Sequence, residues 1–256
     1  ALHAILLALK INTGLHRVAS QAFTFPSAVQ GVVEYSEIVD FTKDLEFNFD
    51  QLVATQIAVV TNIFGHIQNI DLITKKAIDY DQVLIFDNAA TPYSFWKGIN
   101  TCNYGFASFI SLHHTKPLGF GEGGLIIIDK IYEDLIRQVI NFGKSEYTVY
   151  HKYASNFKMS ELSAAGILQW WEQIDFDDLA TRYRYNYFEQ AAKLPLGVEL
   201  YPSADNLDKF FPSCLPVIYQ HPTQPNDAET RKYYQPLERL PISTSLYERT
   251  LCHPIT

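Results

Sequence analysis

The chain has 256 residues, and its 28 acidic side chains outnumber its 20 basic ones, which gives a net charge of −8 with histidine neutral. Apolar residues make up 47% and charged residues 19%, which excludes a disordered chain and predicts one large domain or one and a half. The pI near 5.4, without a run of Lys and Arg, argues against nucleic acid or an anionic membrane as the main partner.

The first ten residues predict a helix, yet neither a start methionine nor a capping side chain precedes Ala1. The chain also ends at Thr256 without a closing element. We therefore expect the sequence to be the core of a longer protein that lacks pieces at both ends.

Three cysteines stand at wide spacings, at Cys102, Cys214 and Cys252. This pattern predicts neither a disulfide framework nor a zinc site and fits a reducing compartment, so we expect a cytoplasmic protein. No apolar run reaches the roughly 18 residues of a membrane span, so none is predicted.

Residues 56–130 alternate short apolar runs with amphipathic stretches. Strands that are apolar on both faces and separated by a helical crossover indicate an α/β domain with a mainly parallel central sheet flanked by helices. The link between Ile85 and Leu112 lacks a clear helix, so the pattern leaves the order and direction of the strands there open. The predicted strands are 56–64, 82–87, 106–112 and 124–129, and the predicted helices are 70–80 and 131–142.

Upstream of this region, residues 17–25 predict another strand, and downstream residues 159–194 are mostly helical in pattern. Prolines become frequent from Pro195 onward, and the alternation of strands and helices disappears. We place a domain boundary within the long helix. The prediction is a large domain over residues 1–178, missing its N-terminal part, and a small, truncated C-terminal α+β domain over residues 179–256.

A carboxylate and an amine follow two predicted strands. Asp87 ends the strand 82–87, and Lys116 lies a few residues after the strand that ends near Leu112. Ser111 precedes the lysine by five residues and a glycine-rich turn follows it. Since ligands bind at the carboxyl ends of strands in open α/β sheets, this arrangement suggests a pyridoxal phosphate site. The alternative is a surface lysine and an aspartate that caps a turn.

The sequence Ser111-Leu-His-His-Thr-Lys116, followed by Gly121-Glu-Gly-Gly124, resembles the lysine motif of the DegT/DnrJ/EryC/StrS sugar aminotransferases. In this family of fold-type I pyridoxal phosphate enzymes the motif usually reads Ser-Phe-His-(Ala/Pro)-Thr-Lys, then Gly-Glu-Gly-Gly. Three further segments, 59–65, 85–90 and 154–165, resemble the family's other motifs in the same order. The resemblance therefore extends over most of the chain.

The resemblance implies roles for individual residues. Lys116 would bond to the cofactor and carry a proton during the reaction, Asp87 would pair with the pyridinium nitrogen, and Ser111 would donate to the phosphate. Asn156 matches the asparagine that the partner subunit supplies to the phosphate; alternatively it is a turn or N-cap residue. Phe25 matches the aromatic that stacks on the cofactor ring, and a core aromatic is the competing interpretation.

Three basic residues are candidates for substrate contact. His113 and His114 flank the lysine and would face the substrate or support the site from behind. Arg231 begins a stretch, residues 231–234, that would clamp a substrate phosphate or form an exposed basic segment. We expect no metal site, because the eight histidines lack metal-ligand spacing and two adjacent ones would point different ways on a strand.

The chain departs from the family at three places. Ala90 stands where the family has Gln or His at the cofactor, so that polar contact is absent or comes from Asn88 or Thr91. Lys158 replaces the commoner Arg after the asparagine. The family's phosphate-binding Ser-Gly-Thr motif would lie immediately before Ala1.

The expected function is transfer of an amino group from an amino acid, with L-glutamate as the expected donor, to a nucleotide-linked keto-deoxysugar. The resemblance places such an enzyme in amino-sugar, lipopolysaccharide or other glycan biosynthesis, as a homodimer with a shared active site. The alternative is a non-catalytic sensory or scaffold relative that keeps the fold. Lys116 argues against the family's sugar dehydratases, which lack the lysine.

Overall fold

The computed structural model describes residues 1–30, 35–144, 153–201 and 210–255. In these ranges the helices are α1 (Leu2–Thr13), α2 (Ile70–Asp79), α3 (Glu133–Ile140), α4 (Glu161–Trp171), α5 (Phe176–Ala191) and α6 (Pro241–Arg249). The strands are β1 (Arg17–Gln21), β2 (Tyr35–Val39), β3 (Ile57–Thr61), β4 (Val83–Asp87), β5 (Phe95–Trp96), β6 (Ile99–Asn100), β7 (Ala107–Ser111), β8 (Gly124–Ile128), β9 (Glu199–Leu200), β10 (Leu215–Ile218) and β11 (Thr250–His253).

A six-stranded sheet in the order β2-β1-β3-β4-β7-β8 forms the centre of the large lobe. Its first five strands are parallel, and β8 runs antiparallel to β7. The expected α/β fold with a mainly parallel sheet is therefore confirmed. Because parallel strands present their carboxyl ends at one edge, Asp87 on β4 and Ser111 on β7 share that edge.

The direction of the strand after β4, which the sequence left open, is settled. β7 pairs parallel to β4, with Ile85 opposite Ala107. The connection between them carries the short β5–β6 hairpin and a 3₁₀ turn at Thr101–Asn103. This explains why the segment shows no helical periodicity although it joins two parallel strands.

Helices cover both faces of the sheet because β3 and β4 are apolar on both sides. On one face, α2 packs on the sheet through Ile70, Ile73 and Ala77. On the other face, α1 packs through buried leucines and isoleucines such as Ile5. The opposite face of α1 contacts α3, so α1 is buried along most of its length.

The region predicted as one helix over 159–194 is two helices, α4 and α5. They are separated at residues 172–175, and Asp175 caps α5 by accepting a hydrogen bond from the Asp178 amide at 3.0 Å. The polar residues at this break belong to a helix start rather than to a helix interior.

The C-terminal part forms a three-stranded antiparallel sheet in the order β11-β10-β9, together with α6. Its apolar side chains pack on α5 through Tyr187 and on the large lobe through Phe23, Phe41 and Phe64. The division at residue 178 remains a prediction. Within the described ranges, no helix combines the length and the apolar character needed to cross a bilayer.

Candidate functional site

Asp87 ends β4 in a buried position at the carboxyl edge of the sheet. Its Oδ1 accepts the Ala89 amide at 2.9 Å, and its Oδ2 accepts the Thr61 hydroxyl at 3.4 Å. Burial raises the pKa of Asp87 to about 6, and the Ala89 amide and the charge of Lys116 offset part of that rise. The carboxylate therefore lies in a site that would be stabilised by a further positive group.

Lys116 lies half-buried in the loop after β7, close enough to Asp87 for the two charges to interact. Burial lowers the pKa of Lys116, and the nearby Asp87 carboxylate and Cys214 thiol offset part of that effect. The structure thus brings together the amine and the carboxylate that the sequence singled out. A buried amine with a lowered pKa is a stronger nucleophile near neutral pH than an exposed lysine.

Backbone hydrogen bonds hold the loop that carries Lys116. The His114 amide donates to the Gly121 carbonyl at 2.8 Å, and the Phe120 amide donates to the Leu112 carbonyl at 3.0 Å. A side chain at Gly119 would overlap the His113 carbonyl oxygen, so the tight turn requires glycine there. The loop is therefore closed on itself.

A buried polar network lies behind Asp87 at the ends of β1 and β3. The Gln21 side chain pairs with the backbone of Thr61 through both its oxygen and its nitrogen, at 3.1 Å each. Gln68 donates to Gln21 at 3.1 Å, and the Thr24 and Thr61 hydroxyls lie 3.0 Å apart. These residues were missed from the sequence, although polar side chains at the carboxyl ends of two apolar strands were a signal for them.

Ala90 is buried, and the polar side chains of Asn88 and Thr91 near it form hydrogen bonds with other protein groups. The Asn88 side chain donates to the Ser108 hydroxyl and accepts from Asn62, each at 2.8 Å. The Thr91 hydroxyl donates to the Asn62 carbonyl at 2.8 Å. Both side chains thus bind the protein interior, which favours the alternative that the polar contact is absent.

Ser111 and Phe25 lie at the same edge of the sheet in accessible positions. The Ser111 oxygen accepts the His113 amide at 3.3 Å, which leaves its proton available to another acceptor. Phe25 follows β1 and is 62% exposed, whereas Phe23 is fully buried in the core. Of the two interpretations of Phe25, the core aromatic is wrong.

His113 and His114 lie beyond the end of β7 in a turn, not on the strand. Their ring centroids are 4.2 Å apart, and His113 Nε2 lies 3.3 Å from Glu122 Oε1. The expectation that the two rings point different ways is wrong, since side-chain alternation applies only within a strand.

Asn156 and Arg231 are exposed and lie on other segments. Asn156 forms an antiparallel bridge with Asn141, and the Arg231 backbone pairs with Cys252 on β11. The Arg231 guanidinium donates to the Ala228 carbonyl. Among the residues that the structure describes, no contact places Asn156 or Arg231 beside Asp87.

Tyr234 reaches the site from the small lobe and was missed from the sequence. Its ring stacks on Phe64 with centroids 5.5 Å apart, and it is close enough to Asp87 for that charge to raise its pKa further. The larger cause of the raised pKa of Tyr234 is burial. The site therefore lies between the large sheet and the C-terminal lobe.

Comparison with known proteins gives a consistent result. The family model described as the DegT/DnrJ/EryC1/StrS aminotransferase family matches residues 1–254. Among curated proteins, the dTDP-4-amino-4,6-dideoxy-D-glucose transaminase of Shigella dysenteriae is 28% identical over 172 residues. The match covers 65% of this chain and 45% of that protein, so the aligned part spans less than half of the curated relative.

Two solved structures share the fold over almost the whole chain. A DegT DnrJ EryC1 StrS aminotransferase from Brucella abortus has a TM-score of 0.78 and 21% identity, over 98% of this chain and 78% of that one. DesI, solved in the presence of its TDP-sugar product, has a TM-score of 0.78 and 24% identity, over 98% and 73% of the two chains.

Proposed function

The chain belongs to the DegT/DnrJ/EryC1/StrS aminotransferase family, and from that membership we propose that it is a pyridoxal phosphate-dependent aminotransferase acting on a nucleotide-linked keto-deoxysugar. The observation that carries the proposal is the position of Lys116, which follows β7, close enough to the buried carboxylate of Asp87 on the neighbouring strand β4 for the two charges to interact. The family's chemistry needs an amine and a carboxylate at these two strand ends.

The residues present fit the cofactor. Pyridoxal phosphate supplies an aldehyde that bonds to amines and a pyridine ring that withdraws electrons from the bonded carbon. Asp87 would hold a proton on the ring nitrogen, and a pyridinium cation would stabilise the ionised form of a buried carboxylate whose pKa is raised. Lys116, with its lowered pKa, would bind the aldehyde carbon and afterwards take and return a proton.

Two further side chains support the fit, and one position weakens it. Ser111 has a proton to donate to a phosphate oxygen, and the exposed face of Phe25 is available for stacking on a ring. Ala90 supplies no polar group, and its neighbours are occupied, so we expect weaker cofactor binding than in relatives with Gln or His there.

The substrate class that we propose rests on the names of the relatives. The curated relative is named for a dTDP-linked amino-deoxysugar, and DesI was solved with a TDP-sugar product. These names support a keto-deoxysugar on a thymidine nucleotide as acceptor, with L-glutamate as donor, in amino-sugar, lipopolysaccharide or other glycan biosynthesis. His113, His114 and Arg231 are the residues we propose for substrate contact.

The compartment we propose is the cytoplasm. Cys102, Cys214 and Cys252 are all free thiols. Unpaired thiols are typical of proteins kept in a reducing compartment.

We propose a homodimer with a shared active site. The helix α4 is rich in apolar residues, yet Leu162 and Leu168 are largely exposed and only Ile167 among the residues of α4 is buried. Asn156 precedes α4 and is exposed as well, as a residue that completes a partner's site would be. An exposed apolar helix next to such a residue supports a second copy of the chain as its cover.

The experiment for the cofactor is a titration of the purified chain with pyridoxal phosphate. We expect the visible absorbance that the cofactor gains on bonding to lysine, lost in Lys116→Ala and kept in Lys75→Ala, at an exposed lysine on α2. With L-glutamate alone the chain should then release at most one 2-oxoglutarate per active site, and continued release should require a dTDP-linked keto-deoxysugar as acceptor. Wild-type protein without the absorbance band would contradict the proposal.

The shared site is tested by mixing two inactive variants. Lys116→Ala and Asn156→Ala protein, unfolded and refolded together, should regain activity, because one site of the mixed dimer combines the intact Lys116 with the partner's intact Asn156. Mixtures that stay inactive although mixed dimers form would contradict a shared site.

A second candidate function, a non-catalytic sensory or scaffold protein, is favoured by one observation. Ala90 and the committed side chains of Asn88 and Thr91 leave one side of the site without a polar contact for a cofactor. Such a protein would bind the sugar nucleotide, or bind the cofactor, without releasing 2-oxoglutarate.

A further inference from the structure

Two imidazoles and a carboxylate converge on the loop between β7 and β8. One ligand atom from each of His113, His114 and Glu122 lies within 4.8 Å of the others. His113 Nε2 and Glu122 Oε1 are 3.3 Å apart. We propose that these three side chains bind a divalent transition-metal ion, with Zn²⁺ as the best fit.

The donor set matches the chemistry of such ions. Two imidazole nitrogens and one carboxylate oxygen are ligands that Zn²⁺ takes in proteins, with a fourth position left for water. With ligands at about 2.1 Å, a tetrahedral ion places ligand atoms roughly 3.4 Å apart, close to the present separation of Nε2 and Oε1. Because His114 and Glu122 are exposed, they can turn to close the remaining gap without disturbing the core.

The backbone of the loop places the three residues together before any ion binds. The hydrogen bond from the His114 amide to the Gly121 carbonyl brings His114 beside the residue that precedes Glu122. The Lys116 amide donates to the His113 carbonyl at 2.8 Å and tightens the turn. Fixed backbone positions reduce the ordering cost of a metal site.

Thr115 can orient the His113 ring. Its hydroxyl lies 2.8 Å from His113 Nδ1, and when Nδ1 donates to that oxygen, Nε2 presents its lone pair toward Glu122. Ligating histidines commonly donate their second ring N–H in this way. The Thr115 amide, 3.3 Å from the same Nδ1, favours the other tautomer, in which His113 donates to Glu122, so metal binding would select between the two.

Lys116, in the same loop, is half-buried and interacts with Asp87 and Cys214, whereas His114 and Glu122 are exposed and His113 is half-buried. An ion bound there would brace the loop that holds Lys116.

The test is a Zn²⁺ competition titration of the purified, chelator-treated protein against a chromophoric chelator that absorbs at longer wavelengths than the cofactor. The variants are His114→Ala and Glu122→Gln, and the control is His221→Ala, at an exposed histidine of the C-terminal lobe. We expect one Zn²⁺ per chain in wild type and control, and at least about tenfold weaker binding in both ligand variants.

Wild-type protein that takes no Zn²⁺ from the chelator, or that binds it no more tightly than His114→Ala, would overturn the proposal. The variants alter surface side chains, so circular dichroism should show an unchanged fold. Metal binding is measured without sugar substrate, and its result is therefore independent of whether the chain transaminates.

Discussion

The Asp40 carboxylate, at the end of β2, accepts the amide of Ser243 in α6 at 2.8 Å, across 203 residues of sequence. The same carboxylate accepts the Ser243 hydroxyl at 2.5 Å and the Ile242 amide at 2.7 Å. Asp40 is buried. From the end of a strand of the central sheet, its carboxylate caps the first turn of α6 in the C-terminal lobe. The capping bond couples the two lobes whose junction contains the site.

Replacing this cap should destabilise the protein strongly. We expect Asp40→Ala to lower the free energy of unfolding by about 2–4 kcal/mol, because it leaves the buried amide and hydroxyl of Ser243 and the half-buried amide of Ile242 without an acceptor. Asp40→Asn should cost less, since one acceptor oxygen remains. Urea denaturation measures both, with Asp44→Ala, at an exposed position, expected to stay within about 0.5 kcal/mol of wild type. Equal stability of Asp40→Ala and Asp44→Ala would contradict the capping role.

The raised pKa of Asp87 makes the cofactor-free protein sensitive to pH. Its ordinary pKa is 3.8 and its pKa in the fold is about 6, so the unfolded chain releases the proton first as pH rises. The fold therefore has its full stability from this group below pH 3.8, where the carboxyl is protonated in both states. As pH rises from 3.8 through 6, the free energy of unfolding falls by about 3 kcal/mol. The site therefore holds its carboxylate at the expense of fold stability.

Asp87→Asn should remove that cost. As pH rises from 4 to about 7, the free energy of unfolding of the cofactor-free variant should increase relative to that of cofactor-free wild type. With pyridoxal phosphate added, the variant should lack the visible absorbance and the activity. Urea denaturation at several pH values measures the difference. Parallel stability profiles for the two proteins would show that burial does not raise the pKa of Asp87.

Much of the large lobe could be predicted because the local pattern of apolar and capping residues indicates its helices and strands. The prediction of 70–80 matches α2 (Ile70–Asp79), where Asn69 caps the start by accepting the Leu72 amide at 3.1 Å. β2 (Tyr35–Val39) was missed, because at the sheet edge only Val39 is fully buried and the apolar signal is weak. An edge strand is defined by its neighbour β1 rather than by its own sequence.

The site was predictable to the extent that topology determines it. Asp87 and Lys116 each follow a strand, and parallel pairing of β4 and β7 brings those strand ends together. Tyr234 could not be found in this way, since a ring from the small lobe meets Asp87 only through tertiary packing. The histidine pair was misjudged because the end of β7 lies one residue before Leu112, which the sequence had included in the strand.

His66 should make the protein acid-sensitive. It is buried among Tyr187, Tyr201 and Phe210, and within the described residues its ring nitrogens have no hydrogen-bond partner. Burial lowers the pKa of His66 from 6.5 to about 3. The unfolded chain therefore takes up a proton first as pH falls below 6.5, and the fold loses about 2 kcal/mol by pH 5.

His66→Phe should abolish this loss, because an aromatic ring without titratable nitrogens suits the aromatic surroundings. The variant should exceed wild type in stability at pH 5 by a larger margin than at pH 8, whereas His221→Phe should keep the wild-type profile. Thermal or urea denaturation at the two pH values measures this. A margin that does not grow on acidification would mean that His66 is protonated in the folded protein.

Phe25 offers a test of the cofactor position that leaves the fold intact. Because its ring is 62% exposed, Phe25→Ala should change the free energy of unfolding by less than about 0.5 kcal/mol. Loss of ring stacking should raise the dissociation constant of pyridoxal phosphate roughly threefold to tenfold, while Phe25→Tyr keeps it near wild type. Equilibrium titration of the visible absorbance measures the constant for each protein. Unchanged affinity in Phe25→Ala would place the ring away from the cofactor.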